Sequence, residues 1–542
     1  MGRVTSITQP AGHGGAVART YWDNWIAVAT YTQIDAYNNR YDFVAYDGAG
    51  QTRWNGGDHL DGVAGKYTIQ RFAYDSVGRT TSASNLTAAD GGLSTNYPAW
   101  EEDHTYGWLY TTTTFDALDR PTLVTRPDAH TVQYSYTGCG CAGSSTVTTT
   151  DERGRKRKVV YDFLGRLAEA HNLTMAGATY SKAVYSYNAR NLLTTIAHYN
   201  SGAAHQDRTF SYDGYGRVQS QTTPEAGTVS YLYWANDLVQ RATDARGLYA
   251  QLTYNGAGML TDVDYSDSTP DVRYNYGEYG ERLLMQEKNS GGAEIARTNY
   301  SYDGFKRLQT ETRVFNGLAG TFSVGYQYNY VNAPTRLIYT AGGWTKNVNY
   351  AYKYSGALSS VGTNLIGTDP NATTNVASGF DYRAFSALQS VTYGNTRKLT
   401  AGYNQYRSQM ISLQVKKTDG TNTIINNSYD YSFGTSNNGR VQKITDGADP
   451  NYTTTFEYDE HNRLDKAYGA AFYRDYDFDT WGNLTYVSRA SRIPMVSVAA
   501  KIRFLRRPLA SFKIPISTSF PTFSLAARCV TPSRLAMHSY ED

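Results

Sequence analysis

At 542 residues the chain could hold three or four domains of about 100 to 200 residues, but its 49 tyrosines and 49 glycines point to one repeated unit. Tyrosine carries a hydroxyl that needs a partner or water, so a Tyr-dominated composition excludes a single dense aliphatic core. A net charge of +3 excludes nucleic-acid recognition by bulk charge, no run of 18 apolar residues is present to span a membrane, and three cysteines exclude a disulfide framework.

Residues 1–39 read as a partial repeat and an irregular start. Gly2-Arg3-Val4-Thr5-Ser6-Ile7 has the second half of a unit whose first half is missing, and it lacks the basic-then-apolar layout of a signal peptide. The expectation is therefore a fragment of a longer protein.

From 40 to 487 one pattern recurs. Strict copies are Tyr74-Asp75-x-x-Gly78-Arg79, Tyr161-Asp162-x-x-Gly165-Arg166 and Tyr212-Asp213-x-x-Gly216-Arg217. Degenerate copies include Tyr187-Asn188-x-x-Asn191, Tyr302-Asp303-x-x-Lys306-Arg307 and Tyr458-Asp459-x-x-Asn462-Arg463. Each copy reads as a strand, a turn and a second strand. Pairs such as Tyr185 and Tyr187 put both rings on one strand face, because side chains alternate.

Asp75, Asp162, Asp213, Asp303 and Asp459 open turns by accepting from the backbone two residues on. Gly78, Gly165 and Gly216 supply the left-handed residue that closes a type I turn with a bulge. Asn substitutes at either place, as its chemistry allows, whereas Lys306 is a costly left-handed residue. A second set of turns, at Asp151 to Gly154 and Asp244 to Gly247, implies a strand and a turn every 11 residues. About thirty antiparallel strands in succession exceed what an open twisted sheet tolerates, so the fold class is all-β, a long meander coiled into a spiral or partial hollow shell.

Other motifs carry little chemistry. Gly138-Cys139-Gly140-Cys141-Ala142-Gly143 matches a dinucleotide loop in letters, but the β-branched run after it is a strand and not a helix, so no cofactor is assigned. Arg153-Gly-Arg155-Lys156-Arg157-Lys158 splits its charges over two strand faces and reads as a strand edge blunted by lysines. Asp475, Asp477 and Asp479 alternate like calcium ligands, yet no glutamate closes such a loop, so no metal is assigned. The histidines form no paired-ligand motif and no nucleophile elbow occurs, leaving no case for catalysis.

Residues 488–542 break the pattern. From Arg489 onward there is no glycine, and nine Lys or Arg face two acids. A frameshifted read-through, the beginning of a variable C-terminal segment and a basic tail with its own binding role all remain open. Removing the tail leaves 42 basic against 46 acidic residues, so the repeat region is slightly acidic.

Tyr-x-Tyr-Asp-x-x-Gly-Arg-Leu at this spacing resembles the YD repeat of RHS proteins, a group that includes wall-associated proteins, insecticidal toxin complex components and the YD shells of teneurins. The resemblance covers residues 40–487. It implies a structural, non-enzymatic β-shell, secreted or at the cell surface, that encloses or presents a C-terminal effector or toxin as its partner. The self-cleaving Asp-Pro-x-Gly motif expected of members with a payload is missing, since Asp369-Pro370 and Asp449-Pro450 are each followed by Asn. The competing expectation is a surface module whose exposed tyrosines bind glycans. Neither implies a cofactor, a nucleic-acid partner or a membrane span.

Overall fold

The computed structural model describes residues 6–7, 17–22, 27–36, 38–63, 65–90, 108–138, 145–200, 205–364, 374–432, 436–479, 482–487 and 490–491. Among them the chain forms one antiparallel sheet of forty-one strands, in which most strands pair with the next in sequence. The ladder already exists ahead of residue 40, where Val17–Trp22 pairs with Ala27–Gln33 and that strand pairs with Asn39–Tyr46. An irregularity interrupts the succession early in the chain. Lys66–Tyr74 pairs with both Thr80–Ser84 and Thr87–Asp90, and Thr80–Ser84 passes the ladder on to Tyr110–Phe115.

Strands outnumber the thirty expected because chain reversals also occur without the Asp-x-x-Gly signature. The strands Pro334–Ala341 and Trp344–Tyr352, for example, are joined by Gly342 and Gly343, both at positive φ. At the signature turns the register shifts by one bulge just before the turn, as between Val160 and Tyr161 opposite Leu167, or Ser211 and Tyr212 opposite Val218. Arg153 to Lys158 are not a blunted edge. Lys156–Tyr161 is an interior strand paired on one side with Ser145–Thr150 and on the other with Leu167–Leu173.

Successive turns fall on alternate edges of the ribbon. The Tyr-Asp turns occupy one edge, called here the tip edge; the reversals between them, such as 59–62, 126–129, 151–154 and 174–177, occupy the other, called the rim. Packing is thin. Phe43, Ala45, Trp54 and Ile69 form a small buried cluster against Tyr41, Tyr67 and Trp108. Among the described residues from 110 to 302, the buried hydrophobic side chains are Leu173, Ala197 and Ala296. A sheet folded flat on another would bury one whole face of each strand. This stretch is instead a wall one layer thick.

The described strands as far as Leu484–Val487 belong to one unit that ends at Ala490. The expectations for the cysteines, for Asp369-Pro370 and for the tail after 491 lie outside the described residues.

Candidate functional site

The turn chemistry is local and repeats. The Asp162 N–H donates to the Arg166 carbonyl at 2.8 Å and the Gly165 N–H to the Asp162 carbonyl at 3.0 Å. One carboxylate oxygen of Asp162 accepts from the N–H groups of Leu164 and Arg166, both at 2.9 Å. The other accepts from Arg166 Nε at 2.7 Å. Asp75, Asp213, Asp303 and Asp459 make the same three bonds to their own turns.

Gly78, Gly165 and Gly216 have φ of 96°, 77° and 89°, and Asn191, Asn462 and Lys306 hold the same left-handed position at 62°, 65° and 61°. Partial desolvation raises the Asp162 carboxyl pKa, but the Arg166 side chain and the two backbone donors outweigh it and hold the group below its ordinary value. The same balance holds at Asp75, Asp213 and Asp303.

The recurring arginine also fastens each turn to the next. Arg166 Nη1 donates to Asn191 Oδ1 at 2.7 Å while its guanidinium lies 4.5 Å over the Tyr187 ring. Arg217 reaches Asp237 Oδ1 at 2.8 Å and covers Tyr233 at 4.5 Å; Arg307 reaches the Asn329 carbonyl at 2.9 Å and covers Tyr328 at 4.8 Å. Pairing with the turn Asp and lying over a ring occur together.

The ring beneath closes the unit. The hydroxyl of Tyr187 donates to the Leu167 carbonyl at 2.8 Å, that of Tyr212 to Leu193 at 2.6 Å and that of Tyr233 to Val218 at 2.7 Å. Each acceptor opens the neighbouring strand at the bulge, so a half-buried ring keeps its polar end satisfied. The hydroxyls of Tyr276, Tyr328, Tyr403 and Tyr431 repeat the bond to Leu260, Leu308, Leu388 and Met410.

After roughly 300 residues the ribbon meets itself, rim against tips. The Tyr330 N–H donates to the Ile34 carbonyl at 3.2 Å. The Tyr354 hydroxyl donates to the Val63 carbonyl at 2.8 Å, and Asn85 Nδ2 to the carbonyls of Gln405 and Tyr406 at 2.9 and 3.0 Å. Arg407 pairs with Asp128 at 2.5 Å and Glu152 at 3.1 Å, all three side chains being mostly buried.

Further along, Arg155 Nη2 donates to the carbonyls of Asp459 and Tyr458 at 2.6 and 3.2 Å, and the Tyr180 and His461 ring centres lie 3.9 Å apart with their planes tilted by 33°. Asn438 and Asn462 both donate to Asp151 Oδ2 at 3.2 Å. In every contact the rim of the first turn of the spiral faces the tips of the second. The sequence gives no motif for this seam. Its one local signal is Arg155, a buried arginine in a run that otherwise reads as surface charge.

Among the described residues no group of three or more His, Cys, Asp or Glu is placed to hold a metal ion. Asp475 and Asp477 lie on Phe472–Phe478, and Asp479 opens a turn in which it accepts from the Asn483 N–H at 2.8 Å. No helix among the described residues is long and apolar enough to cross a membrane.

Residues 68–296 match the family model Teneurin YD-shell. Over those residues the chain is similar to a YD-shell. The resemblance to RHS and YD-repeat proteins read from Tyr-Asp-x-x-Gly-Arg thus holds, and so does the coiled all-β meander. The chain is similar to the crystal structure of TcdB2-TccC3, with a TM-score of 0.71 at 14% identity over 90% of this chain and 28% of that one. It is also similar to TcdB2-TccC3 without its hypervariable C-terminal region, with a TM-score of 0.69, and to the Photorhabdus luminescens Tc holotoxin pore, with a TM-score of 0.70. Both of these are 14% identical, over 86% of this chain and 26% of theirs. At that identity the likeness is one of fold, and the chain spans about a quarter of the length of these neighbours. No curated protein matches the sequence.

Proposed function

We propose that this chain is a non-catalytic wall that encloses a polypeptide effector for delivery outside the producing cell. The observation that carries the reading is the seam. Between Asn39–Tyr46 and Phe322–Tyr328 the ladder passes about two dozen strands before it meets itself. At about 4.8 Å per strand that is a path of roughly 115 Å, or a ring about 37 Å across. Side chains from opposite walls meet when sheets lie about 10 Å apart, so such a ring surrounds space that its own residues do not fill. The sparse burial between residues 110 and 302 supports the same reading. The structural neighbour from which a hypervariable C-terminal region was removed supports a C-terminal effector as the content.

Two measurements test this. Negative-stain images of the full chain are expected to show rings with a low-density centre, and solid particles would overturn the wall. A protease site placed on a flexible peptide after Asp542 is expected to be cut far more slowly in the native chain than in urea-unfolded chain with a resistant protease. Equal rates with hollow rings would overturn enclosure while leaving the wall intact.

A further inference from the structure

The seam contact around His461 differs from those ahead of it in what an added proton meets. Near the Ser355 and Tyr354 contact, His59 Nδ1 lies 3.0 Å from an Asp61 carboxylate oxygen. Beside the Arg407 ion pair, His130 Nδ1 lies 3.2 Å from Asp128. In both places a protonated imidazole has an opposite charge against it. His461 is placed otherwise. Its side chain is 10% exposed and its Nε2 makes no hydrogen bond among the described residues. A carboxylate oxygen approaches that nitrogen only to 3.8 Å, at Glu460, whose other oxygen already accepts from the Met175 N–H across the seam at 3.1 Å.

The groups packed around this ring carry an excess of positive charge. The rim side brings Asp151, Arg153, Arg155 and the Tyr180 ring; the tip side brings Arg440, Asp459, Glu460 and Arg463. Four guanidinium groups therefore meet three carboxylates before His461 takes up a proton. Tyr180 already carries a cation, since Arg463 lies 5.6 Å over its ring and donates to its hydroxyl at 3.4 Å. Arg155 is 8% exposed; Nη2 donates to two carbonyls, while Nε and Nη1 have no hydrogen-bond partner among the described residues. A buried guanidinium with unmet donors gains water when such a contact parts. Desolvation, with Arg463 and Arg155, holds the His461 imidazole pKa below its ordinary value against the opposing pull of Asp459 and Glu460.

We propose that His461 is a pH latch on the seam: neutral, it closes the second turn of the spiral on the first at Tyr180, and protonated, it parts them there while the Arg407 contact stays shut. A base whose folded pKa is depressed contributes stability that is full above its unfolded value of about 6.5 and is lost as pH falls below it. The Arg407 contact depends on Asp128, a carboxylate that weakens only below about 3.9, so the two windows are separate. The inference rests on the seam alone and is independent of what the wall encloses.

Hydrogen exchange of the full chain at pH 7.5 and pH 5.5, expressed as protection relative to the unfolded-chain rate at each pH, tests it. Protection of residues 174–180 and 458–463 is expected to fall by up to about tenfold per pH unit below about pH 6.5, while residues 404–408 keep theirs. His461→Phe, which keeps a ring on Tyr180 but takes up no proton, is expected to stay protected at both pH values. Unchanged protection of the unaltered chain at pH 5.5, an equal loss at residues 404–408 or an equal loss in His461→Phe would overturn the proposal. If His461→Phe loses the circular dichroism spectrum of the unaltered chain, His461→Gln replaces it and is read the same way.

Discussion

Arg407 and Asp128 are 279 residues apart in sequence, and the guanidinium Nε of one lies 2.5 Å from a carboxylate oxygen of the other. The same arginine reaches Glu152 at 3.1 Å, so one side chain ties two rim turns of the first spiral layer to one tip of the second. Removing one partner of a mostly buried ion pair leaves the other charge desolvated, at a cost of about 3 kcal/mol. Arg407→Ala is expected to lower stability by that amount and to open the seam before the ladder. Hydrogen exchange should quicken first at residues 126–130, 151–155 and 404–408, while Leu284 to Lys288 keep their protection. Uniform exchange across both regions would contradict a separable seam.

Acid should loosen the same contact. Burial raises the Asp128 carboxyl pKa, but the hydrogen bonds and charge of Arg407 outweigh it and leave the group below its ordinary value. A carboxylate with a depressed folded pKa contributes stability that is full above its unfolded value of about 3.9 and is lost as pH falls through the folded one. Urea midpoints measured from pH 6 down to pH 3 should therefore decline, and Asp128→Asn should flatten the lower part of that decline. An equal decline in the variant would remove Asp128 from the account.

The ladder was legible because its causes are local. Asp162, Gly165 and Arg166 span five residues and meet through hydrogen bonds between i and i+4, so the spacing alone predicts the turn. Lys306 could even be foreseen as left-handed, and it is. The seam was not legible, because Asp128 and Arg407 carry no periodic mark and their meeting depends on the summed twist of about two dozen strands. The arginine clasp falls between these cases. Arg166 was visible as a repeated residue, but its reach to Asn191 needs the next hairpin to be in place.

Alkali should unfold the shell through its tyrosines. Desolvation raises the hydroxyl pKa of Tyr187, Tyr212, Tyr233, Tyr328 and Tyr403, and that of Tyr354 in the seam is pushed up to about 12. These hydroxyls donate to carbonyls, and a phenolate has no proton to donate. The folded state favours the neutral ring, so stability is full below the unfolded value of about 10 and falls as pH rises above it. Absorbance at 295 nm should show many tyrosines ionising together with loss of the β signal. Gradual ionisation near pH 10 with the fold intact would contradict the hydroxyl ladder.

Gly165 isolates backbone strain, because a Cβ there meets open space and only its φ of +77° opposes substitution. A β-branched residue at a left-handed position costs about 1 to 2 kcal/mol, whereas Asn tolerates it. Gly165→Val is expected to destabilise by that amount in urea unfolding, and Gly165→Asn by a few tenths of a kcal/mol. Equal effects from the two would show that the turn does not hold its left-handed residue in solution.

Arg166 separates charge from shape. Its guanidinium bonds Asp162 through Nε and Nη2, both at 2.7 Å, reaches Asn191 with Nη1, and lies 4.5 Å over the Tyr187 ring. A lysine keeps the charge but is a single point donor on a flexible stem, and cannot fork to Asp162 while bridging to the next turn. Arg166→Lys should therefore lower the melting temperature nearly as far as Arg166→Ala. Tyr187→Phe, which removes the bond to Leu167 but leaves the ring, should by itself cost about 1 kcal/mol, and because the guanidinium packs on that ring the loss should not add simply to that of Arg166→Ala. A lysine variant as stable as the unaltered chain would show that charge pairing alone holds the clasp.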